Sequence, residues 1–248
     1  MSEESEKSDQ VSVCIVQKIV SYEDRRRFIL KTTGTVLIML GITVLLILLP
    51  FMIPSLREAI HKVDNSLVWV LFLFHFVVSN VISCCCFRCL FMSPLNYFLL
   101  TGYAVLSGLV LMVLCTYYSI YAVILAMTAT IVCVLATIVF AGVCKKDLTS
   151  LWFVACVIGL SLTIIMLGAI IISFYVDSTA LYWISMVLSF FLVLYFMFTL
   201  TMKIQSVIGG TNRQIVFDEH AHGVAAFSIY LDVFGLFVNL LNLTNLAR

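Results

Sequence analysis

Seven apolar runs of roughly twenty residues follow one another along this chain, separated only by short polar breaks, and that pattern leaves few folds open. A run of this length matches the hydrocarbon thickness of a bilayer. Inside hydrocarbon no water can take a backbone hydrogen bond, so each run must satisfy its own N–H and C=O groups as a helix. The expected spans are 33–53, 67–87, 95–115, 118–143, 150–175, 181–202 and 222–243. With 63% hydrophobic and 11% charged residues, the fold class is all-α: a polytopic membrane bundle of seven helices. Residues 1–32 read as a disordered cytosolic tail and 33–248 as the membrane domain. The tail lacks the apolar core of a cleavable signal peptide, so the first span is expected to act as an uncleaved anchor. A net charge of +1 gives no reason to expect nucleic-acid binding.

Prolines and charges refine the pattern. Pro50 and Pro54 are expected to close the first helix, and Pro94 to sit in the first turn of the third. Eleven basic residues fall on the side of the N terminus, and Arg57, Lys62 and, if the seventh segment crosses, Arg248 fall on the other, which places the N terminus in the cytosol. Gly102, Gly108, Gly159 and Gly168 are expected to admit close helix neighbours. The final span carries Asp232, Asn239 and Asn242, so it is either a crossing helix or a re-entrant or buried segment sheltered by the others.

Asp232 is the informative residue. A charge at the centre of a bilayer costs about 2.5–3.5 kcal/mol on insertion scales, so such groups face the bundle interior and mark a functional site. Lys203 stands just past the sixth span. It either snorkels to the headgroups or pairs with Asp232, whose carboxylate needs a partner or a proton when buried. Asp147 precedes the fifth span and suits a helix N-terminus. Cys84, Cys85, Cys86 and Cys89 end the second span, where the readings are S-palmitoylation, a metal or redox pair, or simple packing beside Arg88. No HExxH or GxSxG motif is present, and the four histidines are scattered. The chain is therefore expected to be neither an enzyme nor a metal protein, and to need no cofactor.

Several segments resemble the transmembrane BAX inhibitor motif family, most closely its lifeguard, glutamate-receptor-associated and Golgi anti-apoptotic branch. RRRFILKTTGTVLIMLGITVLL is similar to the family's first helix, SPLNYFLLTGYAVLSG to the start of its third, and YYSIYAVILAMTATIVCVLATIVFA to its fourth. KKDLTS is similar to the loop that follows, and GGTNRQIVFDEHAHGVAAFSIYLDVFGLFVNLLNL to its closing loop and helix. The resemblance implies a seven-helix protein of endoplasmic reticulum or Golgi membranes that leaks calcium under pH control, suppresses cell death, and meets membrane-protein partners in those processes. It also implies an ion pathway or proton sensor at Asp232, which matches the family's seventh-helix aspartate. This chain departs from the pattern at three positions: the partner aspartate of the sixth helix falls on Lys203, a third-helix glutamate on Ser107 and a first-helix glutamine on Met39. Calcium, the permeant ion that the resemblance implies, favours six to eight oxygens. Here the pathway has lost two carboxylates and gained a cation.

Overall fold

The computed structural model describes residues 22–63, 65–84, 87–91, 94–173, 179–209, 216–217 and 221–244. They form eight α helices: α1 (Tyr22–Met52), α2 (Pro54–His61), α3 (Asn65–Cys84), α4 (Leu95–Thr116), α5 (Ile120–Val143), α6 (Trp152–Ser173), α7 (Thr179–Ile208) and α8 (His222–Thr244). Short 3-10 turns at Phe87–Phe91 and Thr149–Leu151 precede α4 and α6. Apart from the eight-residue α2, these are the seven expected helices. Five of them, α1, α4, α5, α7 and α8, are long and apolar enough to cross a membrane by length and hydropathy. α3 and α6, of 20 and 22 residues, have the length as well.

Three expectations are refined. α1 begins at Tyr22, so residues 22–32 of the expected tail are helical, while residues 1–21 lie outside the described residues. Pro50 lies inside α1, where it costs a single hydrogen bond near the end. Pro54 is what ends the helix. A proline disfavours the helical region for the residue before it, and Ile53 is extended (φ −120°, ψ 92°) with Pro54 opening α2. Pro94 takes the N-cap of α4 and not its first turn.

The last helix is the axis of the bundle. α8 is continuous and packs against α1, α4, α5 and α7. Of its most apolar stretch 67% is buried, against 22–44% in the other four long spans. The re-entrant alternative therefore gives way to a buried helix that passes straight through its neighbours. Its apolar faces fill separate parts of the core: Phe227 and Tyr230 pack with Met39, Leu100 and Tyr103, while Phe237 and Leu241 pack with Ile47, Leu111 and Val123. Val233 and Leu236 pack with Val193 and Leu200 on α7. Met39, where the family resemblance expects glutamine, is 1% exposed and wholly part of this apolar core.

Close packing depends on four glycines, among them Gly223, where a side chain would run into the Leu90 carbonyl. A side chain at Gly108 would run into Leu46 of α1, and one at Gly235 would run into the Phe196 ring of α7. Gly159 lies as close to Tyr195. Gly102 and Gly168 face open space, contrary to expectation.

The helix ends are tied by polar groups that hydropathy does not reveal. The Arg25 guanidinium on α1 donates to the carbonyls of Ser206 (2.5 Å), Phe217 (2.8 Å) and Ile208 (3.3 Å). It satisfies carbonyls that the end of a helix leaves without a partner, next to Gly209 in the left-handed region (φ 71°). Gln205, fully buried, accepts from the Leu148 N–H (3.1 Å) and donates to the Lys146 carbonyl (3.3 Å), holding the connection between α5 and α6 against α7. Asp147 accepts from the N–H and hydroxyl of Thr149 at 2.9 and 2.6 Å, the helix-start role expected of it. Cys85 and Cys86 lie outside the described residues, and Cys89 is free and half-buried.

Gly108→Val is expected to lower stability by about 1–3 kcal/mol through overpacking against Leu46, read as a lower melting temperature in detergent, whereas Gly102→Val is expected to melt with the native protein.

Candidate functional site

The site grows from the contact between α7 and α8, which run antiparallel across the connection at 209–221. On α8, Ser228 and Asp232 are four residues apart and so share one face. On α7, Lys203 stands five residues before the end of the helix at Ile208. Its four-carbon stem could reach outward to the headgroups or inward. It turns inward: Nζ lies 2.7 Å from Asp232 Oδ1 and donates a second bond, at 2.9 Å, to the Ser228 carbonyl. Snorkelling is thereby excluded for Lys203.

The pair is sheltered. The side chains of Lys203 and Asp232 are 12% and 6% exposed. Asp232 is the eleventh of the 23 residues of α8, about 15 Å from its start and so at the middle of that apolar helix. An isolated charge there would cost several kcal/mol, and mutual attraction with extra hydrogen bonds offsets that cost. Asp232 Oδ2 remains buried without a hydrogen bond. Above the pair, Asn242 of α8 donates to the Ser189 hydroxyl of α7 at 2.8 Å, a second polar tie along the same interface. Asn239 turns back on its own helix, donating to the Gly235 carbonyl at 2.7 Å.

Ser107 is not part of this site. It is fully buried on α4 and lies 3.0 Å from His75 Nε2 of α3. Nearby, the hydroxyls of Tyr230 and Thr43 are 2.7 Å apart. Residues 230 and 234 of α8 serve this second group, and a residue two positions along from Tyr230 points about 200° away, so Asp232 faces the opposite side. The structure thus brings together two of the three residues singled out from the sequence and puts the third in a separate polar cluster across α8. His75, Thr43 and Tyr230 gave no sequence signal beyond being polar groups in apolar runs.

Lys203 and Asp232 form a neutral, occupied pair. A proton-sharing carboxylate couple needs two acids within a few ångströms, and here one partner is an ammonium. No group of three or more His, Cys, Asp or Glu side chains able to hold a metal ion occurs among the described residues.

Comparison with known proteins places this architecture. Residues 25–248 match the family model Bax1-I, described as Inhibitor of apoptosis-promoting Bax1. The chain belongs to that family. It is 26% identical over 219 residues to Protein lifeguard 3 of Homo sapiens, an alignment covering 88% of this chain and 68% of that protein. The Mus musculus Protein lifeguard 3 is also 26% identical, with 88% and 69% covered. The match begins at Arg25, the residue that clamps α1 to the end of α7, and takes in every helix of the Bax1-I bundle from there onward. The protein is thus a multi-pass membrane protein of a family of apoptosis regulators.

Asp232→Asn is expected to destabilise the protein by about 3–5 kcal/mol, because it leaves Lys203 buried without a counter-charge. The double variant Lys203→Met with Asp232→Leu is expected to recover most of that loss. Thermal unfolding of the three proteins in one detergent checks both statements.

Proposed function

We propose that this Bax1-I protein regulates calcium homeostasis and cell survival as a calcium leak of an endoplasmic reticulum or Golgi membrane, its N terminus in the cytosol, and that the Lys203–Asp232 pair is its closed gate. The observation that carries this reading is the placement of the pair: a carboxylate at the middle of the most buried of the long apolar helices, held by a single ammonium from the neighbouring helix. A mid-membrane acid is expensive to keep and usually serves a pathway. Passage of a divalent cation along α7 and α8 would require Lys203 to leave Asp232. The pair therefore sets a low resting leak, and whatever separates the two helices raises it. The partners that fit this role are the bilayer itself and other membrane proteins of the survival and calcium machinery. The protein does this work without catalysis and without a resident metal.

One observation favours a second reading, a non-conducting member that acts as an interaction or scaffold protein. The ammonium of Lys203 already takes the oxygens of Asp232 and Ser228 that a cation would use, and calcium needs six to eight such ligands. In that reading the pair pins α8 in place and nothing more.

Calcium flux from reconstituted vesicles separates the two. The gate reading expects a low leak from the native protein and, when flux is compared at about pH 6 and about pH 8, a several-fold higher, pH-dependent leak from Lys203→Asp, in which two facing acids share a proton. Flux from Lys203→Asp that stays at the level of empty vesicles at both pH values would overturn the leak and leave the scaffold.

A further inference from the structure

The second polar cluster has a role of its own. α3 has a slight hold on the bundle: it packs mainly on α4 and on the Phe87–Phe91 turn, and among its described side chains only His75 and Ile82 are buried. Leu67, Val70, Leu73, Phe74, Phe76, Val77 and Val81 all point outward. His75 stands at the middle of this 20-residue helix, about 15 Å from either end. Its imidazole is stacked between two rings, Tyr103 of α4 at 5.2 Å and Phe234 of α8 at 4.7 Å, each inclined by 26°. Its Nε2 meets the Ser107 hydroxyl at 3.0 Å. One side chain thus bridges three helices.

Among the described residues, the groups around that ring are uncharged. From α4 come Tyr103 and Ser107. The Tyr103 hydroxyl is buried beside Ser79 of α3 and Ser107, without a hydrogen bond of good geometry. From α8 come Phe234 and, a turn earlier, Tyr230, whose hydroxyl is engaged with Thr43 of α1. The acid of α8, Asp232, lies on the other side of the helix in the grip of Lys203. Nδ1 of His75 makes no hydrogen bond among the described residues. A neutral imidazole fits this slot, offering flat faces to both rings and one nitrogen to Ser107. An imidazolium would place a full charge in apolar surroundings with no carboxylate to meet it and with its second N–H lacking an acceptor. Attraction of a cation to the Tyr103 and Phe234 faces offsets only part of that burial penalty.

We propose that His75 is a proton-operated latch: neutral, it clips α3 to α4 and α8, and on taking a proton it releases the middle of α3 and opens a cleft lined by Ser107, Tyr103 and Tyr230. The latch is independent of the Lys203–Asp232 pair, which sits across α8. It gives this chain a proton response at a site distinct from the acid of α8, using the one side chain whose unperturbed titration lies near neutral pH.

The test uses the full chain in lipid nanodiscs. Nitroxide labels are attached through azide-bearing residues at lipid-facing Val77 on α3 and Leu125 on α5, and their separation is measured from about pH 7.5 down to about pH 3, far enough that a charge resisted by the apolar slot is still reached. The native protein is expected to shift to longer distances on acidification, with the 15N resonances of the His75 ring moving to imidazolium values over the same interval. H75Q and H75F, which keep a flat side chain without a titrating nitrogen, are expected to hold one distance throughout. A native distance that does not change, a change without protonation of the His75 ring, or a change that persists in either variant would overturn the latch. The ring resonances come from the native protein, so the outcome does not depend on how well the variants fold.

Discussion

A carboxylate survives in the middle of this bundle because a lysine from the next helix reaches it. Asp232 is a residue that α8 could carry in no lipid-facing position, since an unpaired charge there costs several kcal/mol. It must therefore face inward and meet a partner. Lys203 supplies that partner by extending its stem along the α7–α8 contact, where Gly235 lets the Phe196 ring lie against the α8 backbone. Once α7 and α8 are joined in this register, α1, α4 and α5 pack around the remaining faces of α8, and the short connections dictate the rest. The most polar of the long spans, by composition, is thus the most buried, the reverse of a soluble protein's arrangement.

Two polar clusters on opposite faces of one helix give the interior its character. Toward α7 lies a charged pair that is costly to separate. Toward α3 and α4 lies an uncharged group of hydroxyls and one imidazole, which holds a peripheral helix by stacking and a single hydrogen bond. The first is strong and central. The second is weak and sits where a helix has few other contacts. A membrane protein that responds to its surroundings draws its moving parts from the low-stability end of the structure, and α3 is that end here.

Much of this was legible in the sequence because the bilayer imposes a length and a polarity on each segment. Helix number, class and the approximate ends of five of the seven spans follow from apolar runs and breaks, whereas α1 starts eleven residues before its expected span and α7 ends six residues after its own, which puts Lys203 inside the helix and not past it; Asp232 stands out because it breaks such a run. The partner of Asp232 was open, since a lysine near a helix end looks the same whether it turns toward water or toward the core. Packing direction decides it, and that depends on the facing helix. For the same reason the sequence does not separate Ser107 from the pair: the family alignment places it on the third helix but does not say which side of α8 it meets. His75 was hidden because one histidine in an apolar run carries no periodic signal, and its role arises only when Tyr103 and Phe234 close over it. Gly102 and Gly108 likewise read alike in sequence, six residues apart on one helix, although only Gly108 faces Leu46.

The claim that organises the rest is that Lys203 and Asp232 are in direct contact within the bilayer. Dipolar recoupling between a 15N-labelled lysine side chain and a 13C-labelled aspartate carboxyl, recorded by solid-state NMR on the native protein in liposomes and assigned with Lys203→Met, measures it directly. A strong coupling that reports direct hydrogen-bonding contact, as the 2.7 Å separation of Nζ and Oδ1 requires, is the expected result. No coupling, with the Lys203 ammonium exchanging freely with bulk water, would contradict it.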